Sequence, residues 1–294
     1  MNRMKVWDSS PSSGQLEVAA VQVKFDSAES PEGRISRVED LMSDVVDADL
    51  IVLPELWFHG AFSFDSWRQN AVTLDSSVLS RLSKVARDQE VWLHAGSFVQ
   101  TVHTNSDSDM WNTSVLFDAS GTQHTTYKKI HRFGFTEGEP TLVEAGDEPV
   151  TAVVQTDTGT AVTGLTTCYD LRFPELYRYM LKAGTALHVV PAAWPLSRVP
   201  HWEVLGRARA IENQAYVVQC NMAGMDHQTE YGGHSQIVDP NGEILAQAGV
   251  EEAVIQARLD FDRLAEVRRS FPVLQDQRAD IWSIRDQSMG NVIK

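Results

Sequence analysis

Cysteine is scarce in this chain: there are two, Cys168 and Cys220, in 294 residues. A disulfide framework is excluded, and a reducing compartment, the cytoplasm, is expected. Basic residues are also few, with 25 Lys and Arg against 40 Asp and Glu and a net charge of −15. A phosphate backbone selects for basic surfaces, so nucleic acid is not an expected partner. No apolar run approaches the ~20 residues of a membrane span, and the polar start MNRMKVWDSSPSSG lacks a signal-peptide core. There is no HExxH and no CxxC, so no metal and no other cofactor is expected. Internal repeats and low-complexity tracts are absent too.

What remains is an ordinary globular composition, 43% hydrophobic and 22% charged. Valine-rich apolar runs alternate with segments of helical period. LEVAAVQVKF (16–25), DLIVLPE (49–55) and VWLHAGSFV (91–99) read as strands. So do TAVTGLTTC (160–168), TALHVVP (185–191) and AYVVQCN (215–221). Ser30-Pro31 is a helix start, and further helices are expected over 76–90, 174–182, 200–213 and 262–270. The stripe expected to face inward on the 200–213 helix is Trp202, Leu205, Ala208 and Ile211. Two hairpins turn at Ala119-Ser120-Gly121 and Pro240-Asn241-Gly242. Such alternation makes an α/β protein with a buried sheet, not purely parallel. The expected organisation is a flexible tail (1–14), one domain (15–271) and a C-terminal arm (272–294).

Cys168 ends an apolar run and precedes a helix start, in GLTTCYDLRFPELY (164–177). Loops at such strand ends carry sites in open α/β folds. The N–H groups of a helix start favour a thiolate, and the Tyr169 N–H could donate to an oxyanion beside the sulfur. Taken alone, a cysteine is more often a packing residue, which is the expectation for Cys220 inside AYVVQC. Cys168 needs partners. Glu55 closes a very apolar strand, and Lys129 follows the polar strand TQHTTYKK. A carboxylate can take a thiol proton, and an ammonium can stabilise a thiolate or an oxyanion. The tripeptide Asn112-Thr113-Ser114 has the form of a glycosylation acceptor, read here as chance.

LIVLPEL around Glu55, YKKIHRF around Lys129 and GLTTCYDLRFPEL around Cys168 resemble, in this order, the motifs of the nitrilase, or carbon–nitrogen hydrolase, superfamily. The similarity continues through PAAWP (191–195), HWEVLGRARAIENQAYVVQCN (201–221), GGHSQIVDPNGEILAQAG (232–249) and FPVLQDQRADIW (271–282). This resemblance implies a four-layer αββα sandwich of two mixed sheets, pairing through its outer helices as a homodimer or higher oligomer. It implies a cysteine amidase with Glu55 as base, Lys129 as intermediate-stabilising cation and Cys168 as nucleophile, passing through a thioester. Glu137 matches a second glutamate that positions substrate and lysine. Tyr169, Trp194, Phe62 and Arg132 are the expected substrate-binding residues, with Arg132, Arg172 and Arg198 the candidate partners of a substrate carboxylate. The stretch from His201 to Trp282 is most similar to omega-amidases, which act on 2-oxo acid amides. The loop KIHRFGFTEGEP and the order Gly60-Ala61-Phe62 depart from that pattern. An N-carbamoyl amidohydrolase, a nitrilase and a non-catalytic scaffold remain as alternatives.

Overall fold

The computed structural model describes residues 12–103 and 109–278, with the backbone of 284–285 and 292–293. The expected tail up to residue 11 and most of the expected arm, from 279, lie outside the described residues. In chain order the elements are β1 (Ser13–Gln22), β2 (Lys24–Asp26), α1 (Pro31–Ser43), β3 (Leu50–Val52), α2 (Phe64–Asn70), α3 (Ser77–Asp88), β4 (Trp92–Thr101) and β5 (Met110–Phe117). There follow β6 (Gln123–Lys128), α4 (Glu139–Leu142), β7 (Val150–Gln155), β8 (Gly159–Leu165), α5 (Pro174–Met180), β9 (Leu187–Ala192) and α6 (Val199–Asn213). The last are β10 (Tyr216–Asn221), β11 (Ala223–Asp226), β12 (Thr229–Glu230), β13 (Gln236–Val238), β14 (Ile244–Gln247), β15 (Ala253–Asp260), α7 (Phe261–Ser270) and the short antiparallel pair β16 (Ile284–Arg285) and β17 (Val292–Ile293).

Two mixed halves make up the large sheet. One runs β15-β1-β3-β4-β5-β6 and the other β7-β8-β9-β10-β13-β14. They join through a short pairing of Ser13 and Gly14 with Thr160 and Gly159. A Cβ on Gly14 would meet the Thr158 carbonyl oxygen at 2.3 Å, so only glycine permits this approach. The small sheet β12-β11-β2 lies apart and was not expected from the sequence; its strands are two to four residues long.

Side-chain alternation sorts the strands into layers. Leu16, Val18 and Ala20 of β1 pack in one cluster with Leu187 and Val189 of β9 and Val218 and Cys220 of β10, so the two halves face each other. Ala19 and Val21, on the opposite face of β1, pack with Ile35 and Val38 of α1 and Leu79 and Leu82 of α3. Val190 and Val217 face α5 and α6 through Tyr177, Met180, Trp202 and Ala210. This is an αββα sandwich. Cys220 is fully buried between the halves, where its Sγ donates to Val21 O at 3.3 Å and Val52 O at 3.2 Å.

Ser30 caps α1 as expected, its Oγ accepting from Gly33 N at 3.1 Å. The inward face of α6 differs from expectation. It carries Trp202, Gly206, Arg209, Ala210 and Asn213, while Ile211 is half exposed. The helix lies so close to β10 that a Cβ on Gly206 would fall 1.5 Å from Gln219 Oε1. Arg209 is buried by donating Nε and Nη2 to Leu171 O. Close approach and a satisfied guanidinium therefore outweighed the apolar period.

Three histidines are buried and neutral. Burial pulls His59 to about 3, His94 to about 4 and His188 to about 3, from an ordinary 6.5. Between about pH 6.5 and 4 the unfolded chain binds protons at these rings that the folded protein excludes, so stability is full above pH 6.5 and falls below it. Each ring contributes a slope of up to ~1.4 kcal/mol per pH unit. Urea midpoints measured from pH 7.5 down to 4.5 should fall steeply, and a flat profile would contradict this placement.

Candidate active site

Glu55 follows β3, Lys129 follows β6 and Cys168 follows β8, so each hangs from a strand end, two from one half-sheet and one from the other. The structure brings them together at the seam. Lys129 Nζ lies 2.8 Å from Glu55 Oε1. The Cys168 thiol lines the same small gap as Glu55, Lys129 and Ala193, and the Ala193 N–H donates to Glu55 Oε2 at 2.9 Å. Cys168, Glu55 and Lys129 are 7%, 3% and 2% exposed.

A fourth side chain completes the cluster, and it is Glu139 rather than Glu137. Lys129 Nζ lies 2.7 Å from Glu139 Oε2. The Phe133 N–H also donates to Glu139 Oε2, and Asn112 Nδ2 donates to both Glu139 Oε1 (2.6 Å) and Glu55 Oε1 (2.9 Å). Glu137 sits two residues earlier in the exposed part of the same loop. Gly138, with φ +96°, reverses the chain between them and starts α4 with Glu139 turned inward. Counting residues from Lys129 cannot register such a reversal. Asn112, notable in the sequence only for its glycosylation-like tripeptide, is buried and holds both carboxylates.

Asp170, fully buried, ties the Lys129 loop to the Cys168 turn. Its Oδ2 accepts from Tyr127 OH at 2.7 Å and Thr167 N at 2.9 Å, and its Oδ1 from His131 N at 3.0 Å. Cys168 itself has φ +46°, a left-handed backbone that costs a non-glycine residue energy and is retained where surroundings impose it. The turn presents the sulfur at the start of a short 3-10 segment, beside the Tyr169 N–H.

Electrostatics set the protonation states. Burial opposes the charge on Lys129, but the carboxylates of Glu139 and Glu55 outweigh it and hold the ammonium charged. Burial pushes the Cys168 thiol well up; Glu55 pushes the same way, and Lys129 opposes both. The resting sulfur is a neutral thiol facing a carboxylate that can take its proton. Burial, joined by the nearby Glu55, raises the Glu139 carboxyl against the pull of Lys129.

The gap beside these groups is rimmed by Phe62, Phe64, Trp67 and Phe133. It holds only about 20 Å³, room for about one water molecule. Phe62 is held by its N–H on Asp226 Oδ2 (2.7 Å), and Tyr231 OH reaches both the Ala61 N–H and Asp226. A side chain on the intervening Gly60 would strike Phe25, Ser63 and Asp226. Other expected contacts differ. Trp194 packs in the core against Trp202 and donates Nε1 to Arg198 O, because Ala193, the first residue past β9, faces the gap in its place. Arg132 turns to the carbonyls of Val143 (2.8 Å) and Pro140 (3.4 Å), bracing the Glu139 loop. The Tyr169 ring packs edge-on against Phe133. Arg172 lies over the Trp194 ring at 4.7 Å, and Arg198 over Phe133 at 5.8 Å. Among the described residues no group of His, Cys, Asp and Glu is arranged to hold a metal ion.

The carbon–nitrogen hydrolase family model matches residues 17–269. The chain belongs to the carbon–nitrogen hydrolase family. A 2-oxoglutaramate amidase of Paenarthrobacter nicotinovorans is 64% identical over 289 residues, 98% of each chain. The omega-amidase NIT2 of Homo sapiens is 34% identical, over 81% of this chain and 86% of that one. The crystal structure of Saccharomyces cerevisiae Nit3, a member of branch 10 of the nitrilase superfamily, superposes with a TM-score of 0.79 at 29% identity, over 93% of this chain and 99% of that one. This hydrolase is therefore an amidase of non-peptide C–N bonds on a nitrilase-type fold.

Glu139→Gln removes one of two anions from a buried ammonium, and breaking such a cluster costs ~3–5 kcal/mol. Turnover should fall at least ~100-fold, about 2.7 kcal/mol of barrier, while Glu137→Gln stays within a factor of about two. Steady-state kinetics on the two variants decides between them.

Proposed function

We propose that this enzyme hydrolyses the side-chain amide of a small 2-oxo dicarboxylic acid monoamide, releasing ammonia and the free acid. The observation that carries the reaction is the neutral Cys168 thiol set against the Glu55 carboxylate, with the Lys129 ammonium beside it. Glu55 takes the thiol proton as the sulfur attacks the amide carbon. The oxyanion forms between Lys129 Nζ and the Tyr169 N–H, donors fixed before charge develops. Protonated Glu55 then passes its proton to the leaving nitrogen, and ammonia departs from a thioester. Water, deprotonated by Glu55, adds to the thioester, and collapse restores the thiol and frees the acid. Glu139 and Asn112 hold Lys129 and Glu55 in register throughout.

The printed activities of the Paenarthrobacter and human relatives, at 64% and 34% identity, support the 2-oxo acid amide assignment. A substrate carboxylate needs a cation at the rim. We assign Arg198, which stands over the rim residue Phe133. The two cysteines are free, which fits the reducing cytoplasm. Tyr179 on α5 and Val204 and Ile211 on α6 are at least half exposed on the outer layer, and we assign this face to pairing of two copies.

Cys168→Ala should abolish ammonia release from 2-oxoglutaramate while leaving the unfolding profile intact, and the parent enzyme should show a mass adduct on Cys168 under substrate. Release from carbamoyl amino acids or nitriles but not amides would reject the amidase reading, and no release from any would favour a scaffold. Arg198→Gln should raise KM for 2-oxoglutaramate about tenfold or more, the weight of one charge-assisted pair, and leave KM for a neutral amide such as butyramide unchanged. Sedimentation should give a dimer or larger; a monomer mass would refute the pairing face.

A further inference from the structure

The order Gly60-Ala61-Phe62, singled out in the sequence, leads into one wall of the amidase gap. The segment is pinned at every step. Trp67 Nε1 donates to Gly60 O at 2.8 Å. The Ala61 N–H donates to Tyr231 OH at 2.9 Å, the Phe62 N–H to Asp226 Oδ2 at 2.7 Å and Ser63 Oγ to Asp226 Oδ1 at 2.7 Å. Tyr231 OH donates in turn to Asp226 Oδ2 at 2.7 Å. Tyr231 and Asp226 are 1% and 0% exposed. Burial and the Asp226 carboxylate push the Tyr231 hydroxyl well above its ordinary range, so it stays protonated and able to donate. The Tyr231 ring also packs on Phe62, with centroids 5.8 Å apart.

This wall stands where a substrate carries its acyl group. Cys168, Glu55 and Lys129 make the polar side of the gap, and Ala61 and Phe62 stand on its apolar side, partly exposed. An amide whose carbon meets Sγ places its oxygen and nitrogen among the polar groups. Its next carbon then lies against the apolar side. In a gap of about 20 Å³ a branch on that carbon presses on Ala61 and Phe62. With both N–H groups anchored, this wall resists being displaced.

We propose that Tyr231 is a positioning residue that sets acyl selectivity: by anchoring Ala61 and Phe62, its hydroxyl makes the site take amides unbranched at the carbon next to the carboxamide and reject branched ones. Tyr231 acts through the wall and does not touch substrate. The inference rests on the amidase reading above and narrows it, since the 2-oxo acid amides proposed there carry a methylene at that carbon.

The test is ammonia release by the full chain from two pairs of amides, the second of each pair branched at that carbon: butyramide and isobutyramide, and 2-oxoglutaramate and its 4-methyl derivative. The parent should favour the unbranched member at least ~10-fold in kcat/KM, the discrimination one methyl group supplies in a fitted pocket. Tyr231→Phe keeps the ring and removes only the hydroxyl, and it should shrink that preference at least ~5-fold. Phe62→Leu, which cuts back the wall itself, should do the same. Tyr216→Phe removes another buried hydroxyl, one that donates to Asp260 O at 2.9 Å and does not line the gap. It should keep the parent's preference, whereas a general loosening of the fold would lower it there too. No preference in the parent, one undiminished in Tyr231→Phe or Phe62→Leu, or one lost equally in Tyr216→Phe would overturn the proposal. Release from butyramide but not from 2-oxoglutaramate would reject the 2-oxo acid reading alone, and the first pair would then decide the selectivity. Release from none of the four would reject the amidase reading and this inference with it.

Discussion

One ammonium buried between two carboxylates governs the catalytic end of this fold. Lys129 at 2% exposure stays charged only because Glu55 and Glu139 flank it at 2.8 and 2.7 Å. The carboxylates tolerate burial only because Asn112 Nδ2, the Ala193 N–H and the Phe133 N–H complete their hydrogen bonds. A half-satisfied network of this kind would be worse than an apolar core. The strand ends must therefore be positioned closely, and much of the surrounding structure serves that end.

Asp170 is the clearest instance. It joins the end of β6, the His131 loop and the turn before Cys168 through four donors, so nucleophile and cation move as one unit. Asp226 does the same for the opposite wall, holding Phe62, Ser63 and Tyr231. The small sheet of β2, β11 and β12, slight as a stability element, delivers Asp226 to that wall. These bridges fix the geometry of the two walls that meet at the site.

Much was legible in the sequence because it is locally encoded. Helix caps such as Ser30, the two hairpin turns and the apolar strand runs act over a few residues, and they appear where expected. The motifs around Glu55, Lys129 and Cys168 are contiguous stretches, so resemblance could carry the family. Where a reading depended on which side of a loop or helix faces inward, it failed: Glu137 for Glu139, Trp194 for Ala193, and on α6 the stripe through Leu205, Ala208 and Ile211 for the face through Gly206, Arg209 and Ala210. Each error is a matter of one or two residues, the scale of a single turn in the backbone.

By itself, then, the sequence determined the alternation of strands and helices, the scarcity of cysteine and the chemical identity of a thiol, a carboxylate and an amine, because these follow from residue type and local period. Only the tertiary structure decided that Glu139 and Asn112 join them, that Arg132 turns to backbone carbonyls, and that Arg209 is buried against Leu171 O. Those outcomes depend on long-range burial: a buried charge takes whichever partner the packed sheets bring within reach, and no local pattern records that partner in advance.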